Sequence, residues 1–219
     1  MTSEKRVIYS SSNTYSVLNN YTQKTKNVWI VFHGLGYLSK YFIKYFSKVN
    51  PEENYIIAPQ APSKYYQGKD FKHVGASWLT KVDTLEETKN IMEYIDKVYK
   101  TEINLTPKNL IILGYSQGVS IATRWVASRK INCNHLILHS GGIPVELEPE
   151  GFSHLKKTSK IWYTYGNKDP YINDARITKE TLKGNHLFGD LLKIEVFDGI
   201  HEINSKIIMK ISKENSCSQ

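Results

Sequence analysis

Cysteine is almost missing from this chain. Cys133 and Cys217 are its only two, so the sequence offers neither a disulfide framework nor a zinc-ligand spacing, and a reducing, cytoplasmic location is expected. There is no run of 18 apolar residues, which excludes a membrane-spanning helix. Met1 to Val7 is polar and charged with no apolar core, so no signal peptide and no stable membrane anchor are expected. Arginine is scarce as well, confined to Arg6, Arg124, Arg129 and Arg176. The net charge of +8 therefore rests on scattered lysines, many beside acids as in Glu86-Glu87-Thr88-Lys89. No basic run of five or six residues and no aromatic-interleaved basic stripe occurs. That argues against nucleic acid as a partner and for a solvated lysine surface. No internal repeat and no linker divides the sequence. What is present, 219 residues with 40% hydrophobic and 23% charged content, suits one globular domain over 1–219 with a full-sized core. Ser212 to Gln219 reads as a flexible polar tail.

One stretch organises the rest. Asn109 to Gly118 reads N-L-I-I-L-G-Y-S-Q-G: an apolar run short enough for a buried strand, then G-x-S-x-G, then helix-compatible residues with Ile121, Trp125 and Val126 as apolar positions. Composition alone would give that motif about 0.07 times in a chain of this length, so its place directly after a strand carries weight. A serine on a sharp strand-to-helix turn is a nucleophile elbow, and the residues two before and two after it must be small. Gly114 and Gly118 meet that demand. The competing reading is a plain Gly-Ser turn.

Taken in order, residues 5–11 and 14–21 read as two β-rich segments joined by a turn at Ser12-Asn13. Asn27 to His33 is a continuous apolar run, a central strand, leading into His33-Gly34-Leu35-Gly36. Lys40 to Val49 carries Phe42, Ile43, Phe46 and Val49 at helical spacing. Asn54 to Ala58 is a short strand stopped by Pro59. From Gln60 to Lys81 no period is sustained, and the stretch reads as a long aromatic loop. Thr84 with Glu87 forms a capping-box pattern, and the helix behind it carries Leu85, Ile91, Met92, Ile95 and Val98 on one face. After the elbow helix, strands are expected at 135–140, 160–166 and 191–197. A short helix is expected within 145–159, with further helices at 174–182 and 203–211. Two opening strands followed by alternating strands and helices predict an α/β protein with a mostly parallel sheet, antiparallel N-terminal strands, helices on both faces and no large cap domain.

A serine hydroxyl needs a base, and the base needs an orienting partner. In a doubly wound sheet those groups lie just beyond the carboxyl ends of strands. His33, His139 and His201 are so placed. His201 follows the last predicted strand, and the chain order Ser, Asp, His favours it as the base. Asp169 follows the strand at 160–166 and is pinned by Pro170. It is the preferred carboxylate, and Asp198, whose Asp-Gly pair also reads as a turn, is the alternative. His135 and His139 share a strand face without a third ligand, a core pair rather than a metal site. An oxyanion would be met by the backbone N–H groups of Gln117 and Leu35.

Three elements in order resemble the phospholipase/carboxylesterase branch of the α/β-hydrolases, which includes acyl-protein thioesterases. They are H-G-L-G at 33–36, G-Y-S-Q-G at 114–118, and G-x-x-D-P at 166–170 followed by G-x-H at 199–201. Pro59-Gln60-Ala61-Pro62, Ser77-Trp78 and Ser140-Gly141-Gly142 are weaker echoes. The resemblance spans about 27–205 and implies the α/β-hydrolase fold. It also implies a Ser116, Asp169 and His201 triad, oxyanion donors at Leu35 and Gln117, and no metal or organic cofactor. Tyr37 stands where the family commonly has Asp, and Val119 where it commonly has Gly. Both differences touch the acyl-binding side. Tyr37, Tyr65, Tyr66 and Trp78 are accordingly the candidate substrate contacts; the bland alternative is that the aromatics of the 60–81 loop pack it to the body. The expected activity is hydrolysis of small-molecule or lipid acyl esters through an acyl-enzyme, at an open site. A peptidase or acyltransferase on the same triad, or a binding scaffold that kept the elbow, are the alternatives.

Overall fold

The computed structural model describes residues 2–103 and 106–214. The end of the expected tail, with Cys217, lies outside the described residues. Seven strands form one sheet in the order β1-β3-β2-β6-β7-β8-β9. They are β1 (Tyr15–Leu18), β2 (Asn27–Phe32), β3 (Asn54–Pro59), β6 (Asn109–Tyr115), β7 (His135–His139), β8 (Lys160–Gly166) and β9 (Leu192–Phe197). Only β1 runs antiparallel, pairing Tyr15 with Pro59 through Leu18 with Ile56. All the other neighbours are parallel.

Parallel strands need helical crossovers, and these cover both faces. Alternate residues of β2 show the division. Val28, Ile30 and Phe32 turn towards α2 (Thr84–Glu102), α3 (Gln117–Arg129) and α4 (Asp174–Phe188). Trp29 and Val31 turn towards α1 (Ser39–Phe42), the 3-10 turn Ile43–Phe46 that continues it, and α5 (Ser205–Glu214). Trp125 of α3 and Trp29 of β2 are fully buried on opposite faces. Each removes the large apolar area that makes aromatic residues dominate a core.

Several sequence expectations are corrected. Residues 5–11 form no strand. Ile8 is 97% exposed, with no strand edge beside it to satisfy its backbone. Asn13 is not a hairpin turn but an anchor, its amide donating to the Gln60 carbonyl at 2.7 Å. The region 60–81 is not a structureless loop. It holds the hairpin β4 (Ser63–Gln67) and β5 (His73–Ser77), hidden from the sequence because β4 is exposed along most of its length. The capping box does not form. Asp83 precedes α2 in a left-handed conformation, φ 49°, and the Thr84 hydroxyl donates back to the Thr80 carbonyl at 2.8 Å. Leu85 is exposed rather than part of the buried stripe. At the other end, Ser212 to Glu214 belong to α5 rather than to a tail. Asp174's helix runs to Phe188, six residues beyond the expected end at Leu182. No described helix is long and apolar enough to cross a membrane.

Candidate active site

The serine sits where β6 gives way to α3, and its backbone is forced there. Ser116 has φ 52° and ψ −116°, a region that a residue with a Cβ enters only at a cost of ~1–3 kcal/mol. The surroundings over-determine it. Its N–H donates to the His139 carbonyl at 2.9 Å, and its own carbonyl accepts from Val119 N–H at 3.1 Å. The small neighbours are required by contact. A Cβ on Gly114 would lie 2.5 Å from Val119 Cα, and one on Gly118 would lie 2.8 Å from the His33 carbonyl oxygen. Gly141, at the end of the adjacent strand, is held to the same standard, because a Cβ there would press into Val119 at 2.7 Å and into the Ser116 carbonyl.

Three side chains from three strand ends meet at this turn. His201 Nδ1 lies 2.7 Å from Asp169 Oδ2, and His201 Nε2 lies 3.0 Å from Ser116 Oγ. A carboxylate only accepts, so Nδ1 carries the proton and Nε2 is left to accept from the serine hydroxyl. The Asp169 side chain is wholly buried, and its second oxygen accepts from Tyr171 N–H at 2.9 Å. Asp198 is not part of this line. It is solvent-exposed and pairs with Lys168 at 2.7 Å, which holds its carboxyl below the usual range through that hydrogen bond and charge.

His201 is held from several sides. Tyr115, the residue before the serine, donates its hydroxyl to the His201 carbonyl at 3.0 Å and lays its ring 5.3 Å from the imidazole. Burial pushes its phenol far up, so it stays a donor. The Tyr171 ring stands edge-on to His201 at 4.9 Å. His139 lies beneath the loop that carries His201. Its Nε2–H donates to the Glu202 carbonyl at 2.9 Å, and its Nδ1 accepts from the Thr164 hydroxyl at 2.5 Å. His135 pairs differently, accepting from Trp162 Nε1 at 3.0 Å. Among the described residues no group of three or more His, Cys, Asp or Glu is arranged to hold a metal ion.

The loop after β2 is fixed just as firmly. His33 is buried, its Nδ1–H donating to the Gly34 carbonyl at 2.8 Å and its Nε2 accepting from Ala61 N–H at 3.1 Å. Burial pulls its pKa down to about 4, so the ring stays neutral and keeps this pair of bonds. Gly36, at φ 83°, donates its N–H to the Ala76 carbonyl at 2.9 Å, and its carbonyl accepts from the Gln67 amide at 2.9 Å. The β4–β5 hairpin thus clamps the turn that carries Leu35. Gln117 opens α3, where the first backbone N–H groups have no intrahelical partner. Its side chain faces elsewhere, its oxygen accepting from Trp78 N–H at 2.8 Å and its amide donating to Ser77 Oγ and the Leu79 carbonyl.

The four aromatic candidates separate. Tyr65 shares a hairpin face with Gln67 and Gly75, and that face meets Gly36: a Cβ on Gly36 would lie 3.6 Å from the Tyr65 hydroxyl. Tyr66 alternates to the opposite face and packs on Phe71 at 5.5 Å. Tyr37 is half-buried, edge-on to Tyr115 at 5.8 Å, and burial pushes its phenol up to about 12. Trp78 is 1% exposed and donates its indole N–H to the His33 carbonyl at 2.8 Å. It lies under the loop and lines no open surface. Sequence reasoning placed His33 at a strand end and in the H-G-L-G turn but passed over Gln67, Tyr171 and the hydroxyl of Tyr115 as parts of this site. Only Tyr115, inside the motif, and Tyr171, next to Asp169-Pro170, stood where a signal could have drawn attention.

A serine on a strained elbow, beside an imidazole oriented by a buried carboxylate at the carboxyl edge of a parallel sheet, defines an α/β-hydrolase arrangement. The family model described as Phospholipase/Carboxylesterase matches residues 13–216: the chain belongs to the phospholipase/carboxylesterase family, a family of esterase-type hydrolases. Among curated proteins none matches by sequence. Solved structures similar to it include Zea mays acyl-protein thioesterase 2, at 17% identity and TM-score 0.68 over 92% of this chain and 97% of that one. The Bacillus cereus carboxylesterase is similar at 14% identity and TM-score 0.66 over 93% of each chain. A carboxylesterase from Mesorhizobium loti is similar at 14% and 0.66 over 87% and 90%. At these identities the likeness is one of fold.

Proposed function

We propose that the protein hydrolyses carboxylic acyl esters, with thioesters and lysophospholipids in the same chemical range, through an acyl-enzyme on Ser116. The observation that carries this reading is the unbroken line of hydrogen bonds, 2.7 and 3.0 Å, from a buried carboxylate through His201 to the hydroxyl. Ser116 Oγ attacks the carbonyl carbon as His201 Nε2 takes its proton. Asp169 keeps the proton-bearing Nδ1 fixed and stabilises the imidazolium that forms. The negative charge that develops on the carbonyl oxygen is met by the backbone N–H groups of Leu35 and Gln117, held in place before the reaction begins. Collapse expels the alcohol or thiol, which receives the proton from His201. Water, deprotonated by the same ring, then clears the acyl group.

Tyr37 and Tyr65 flank this site and are the substrate contacts of this reading; Tyr66, on the far face of the hairpin, has a smaller part. Purified protein is expected to hydrolyse p-nitrophenyl butyrate. Ser116→Ala should lower kcat by at least about 10³-fold while leaving the thermal midpoint unchanged or raised, because alanine removes no packing contact. A mutant with full rate would exclude the reading.

A further inference from the structure

The esterase reading gives one oxyanion donor to the Leu35 N–H, and that residue's own side chain does not aim it. Leu35 is 55% exposed and stands between Gly34 and Gly36. Glycine on either side leaves the backbone wide freedom. The direction of the Leu35 N–H therefore depends on what the neighbouring peptide groups bond to. The turn stands beside the nucleophile, since a Cβ on Gly34 would lie 3.2 Å from Ser116 Cβ.

Before Leu35, the bonds come from the turn itself. The Gly34 carbonyl accepts from His33 Nδ1–H at 2.8 Å and from Tyr37 N–H at 3.3 Å. That carbonyl and the Leu35 N–H belong to one planar trans peptide and point in opposite directions, so the N–H faces away from both partners. After Leu35, the bonds come from the β4–β5 hairpin. Gly36 N–H donates to the Ala76 carbonyl at 2.9 Å, and the Gly36 carbonyl accepts from Gln67 Nε2 at 2.9 Å. Among the described residues, Gln67 is the only side chain from outside the turn that bonds to Gly34 or Gly36. It is also the one residue of β4 that is not exposed. The adjacent strand leaves room for its amide: a Cβ on Gly75 would lie 2.6 Å from Gln67 Nε2 and 2.7 Å from the Gly36 carbonyl oxygen.

We propose that Gln67 is a positioning residue for the oxyanion: its amide pins the Gly36 carbonyl and so holds the Leu35 N–H aimed at the carbonyl oxygen of the bound ester. Gln67 acts through the turn and touches no substrate. A fixed donor stabilises the transition state because it need not reorganise as charge develops. Without the amide, the Gly36 peptide is free to rotate, and the aim of its neighbour is lost. The ground-state ester carries little charge on its carbonyl oxygen and loses less than the tetrahedral intermediate. The effect therefore falls on kcat rather than on KM. The inference deepens the esterase reading and rests on it.

Two variants test it. Gln67→Met keeps the length and loses the donor, and Gln67→Glu keeps the shape but, as a carboxylate, only accepts. On p-nitrophenyl butyrate, with rates counted per fluorophosphonate-titrated site, both should lose about 10-fold in kcat while KM stays within about 2-fold. The inhibition constant of a trifluoromethyl ketone, whose adduct with Ser116 places a negative oxygen between the donors, should rise by the same factor. A merely structural role would lower the thermal midpoint or the number of titrated sites and leave kcat per site unchanged; that result overturns the proposal, and so does a full rate in Gln67→Glu. If the wild type cleaves no ester, the esterase reading fails, and the hold on the turn is read alone by amide hydrogen exchange. Exchange at Gly36 that is at least about 5-fold faster in Gln67→Met supports it; unchanged exchange overturns it.

Discussion

Ser116 and its two glycines were legible as single residues because their requirement is local. A left-handed serine between a strand and a helix needs small neighbours at fixed offsets, and no tertiary information enters that rule. The same locality makes a sharp prediction. Gly118→Ala sets a Cβ against the His33 backbone, which cannot rotate away as a side chain would. It should lower the unfolding free energy by about 3 kcal/mol or more, measured by urea titration. A change under about 1 kcal/mol would mean that strand and helix do not approach so closely. Tyr115→Phe removes only the hydroxyl that holds the His201 carbonyl. It should lower kcat about 3- to 10-fold with KM unchanged, since the ring contacts and the fold survive. An equal loss in both parameters would argue for a substrate contact instead.

Elements with a buried face were readable, and elements without one were not. The β2, β6, β7 and β8 strands are buried on both faces and show as apolar runs. The β4–β5 hairpin has no such run, yet it holds Gly36 through Gln67 and Ala76 and meets Gln117 at Trp78. Residues 5–11 misled in the other direction: Val7, Ile8 and Tyr9 favour strands, but propensity cannot supply an edge to pair with. Trp78 misled too, because an aromatic residue in a loop reads the same whether it lines a pocket or fills the floor beneath one. The cross-link between these elements is the Gln117 side chain with its three hydrogen bonds. Gln117→Met keeps length and helix propensity but loses all three, at about 1 kcal/mol each. Amide exchange in β5 should quicken before that in β6. Unchanged protection in β5 would show that the hairpin is held by other contacts.

Over the whole molecule, two buried histidines couple the site to pH. Burial lowers His33 to about 4 and His139 to about 4 from an ordinary 6.5, with the backbone bonds to Gly34 and Glu202 opposing the shift. The unfolded chain therefore binds more protons than the folded one between pH 6.5 and about 4, so stability rises with pH through that window and is lost as pH falls. Each histidine contributes about 1.4 kcal/mol per pH unit there. The thermal midpoint should drop steeply from pH 6.5 to 4.5, and less so in His139→Gln. A flat profile would mean that these rings are charged in the fold. The parallel sheet and its helices on both faces were foreseeable from the alternation of elements. The meeting of residues 116, 169 and 201 was foreseeable only as an expectation about strand ends, because no sequence spacing encodes a distance between side chains 32 and 85 positions apart.

The central claim is that Ser116 is made nucleophilic by His201 and Asp169, and covalent trapping tests it without any knowledge of the natural substrate. A fluorophosphonate should add one phosphonyl group to the intact protein, mapped by peptide mass spectrometry to the peptide containing Ser116. The rate should fall at least about 10³-fold in His201→Ala. Labelling at another residue, or the same labelling rate without the imidazole, would contradict the account.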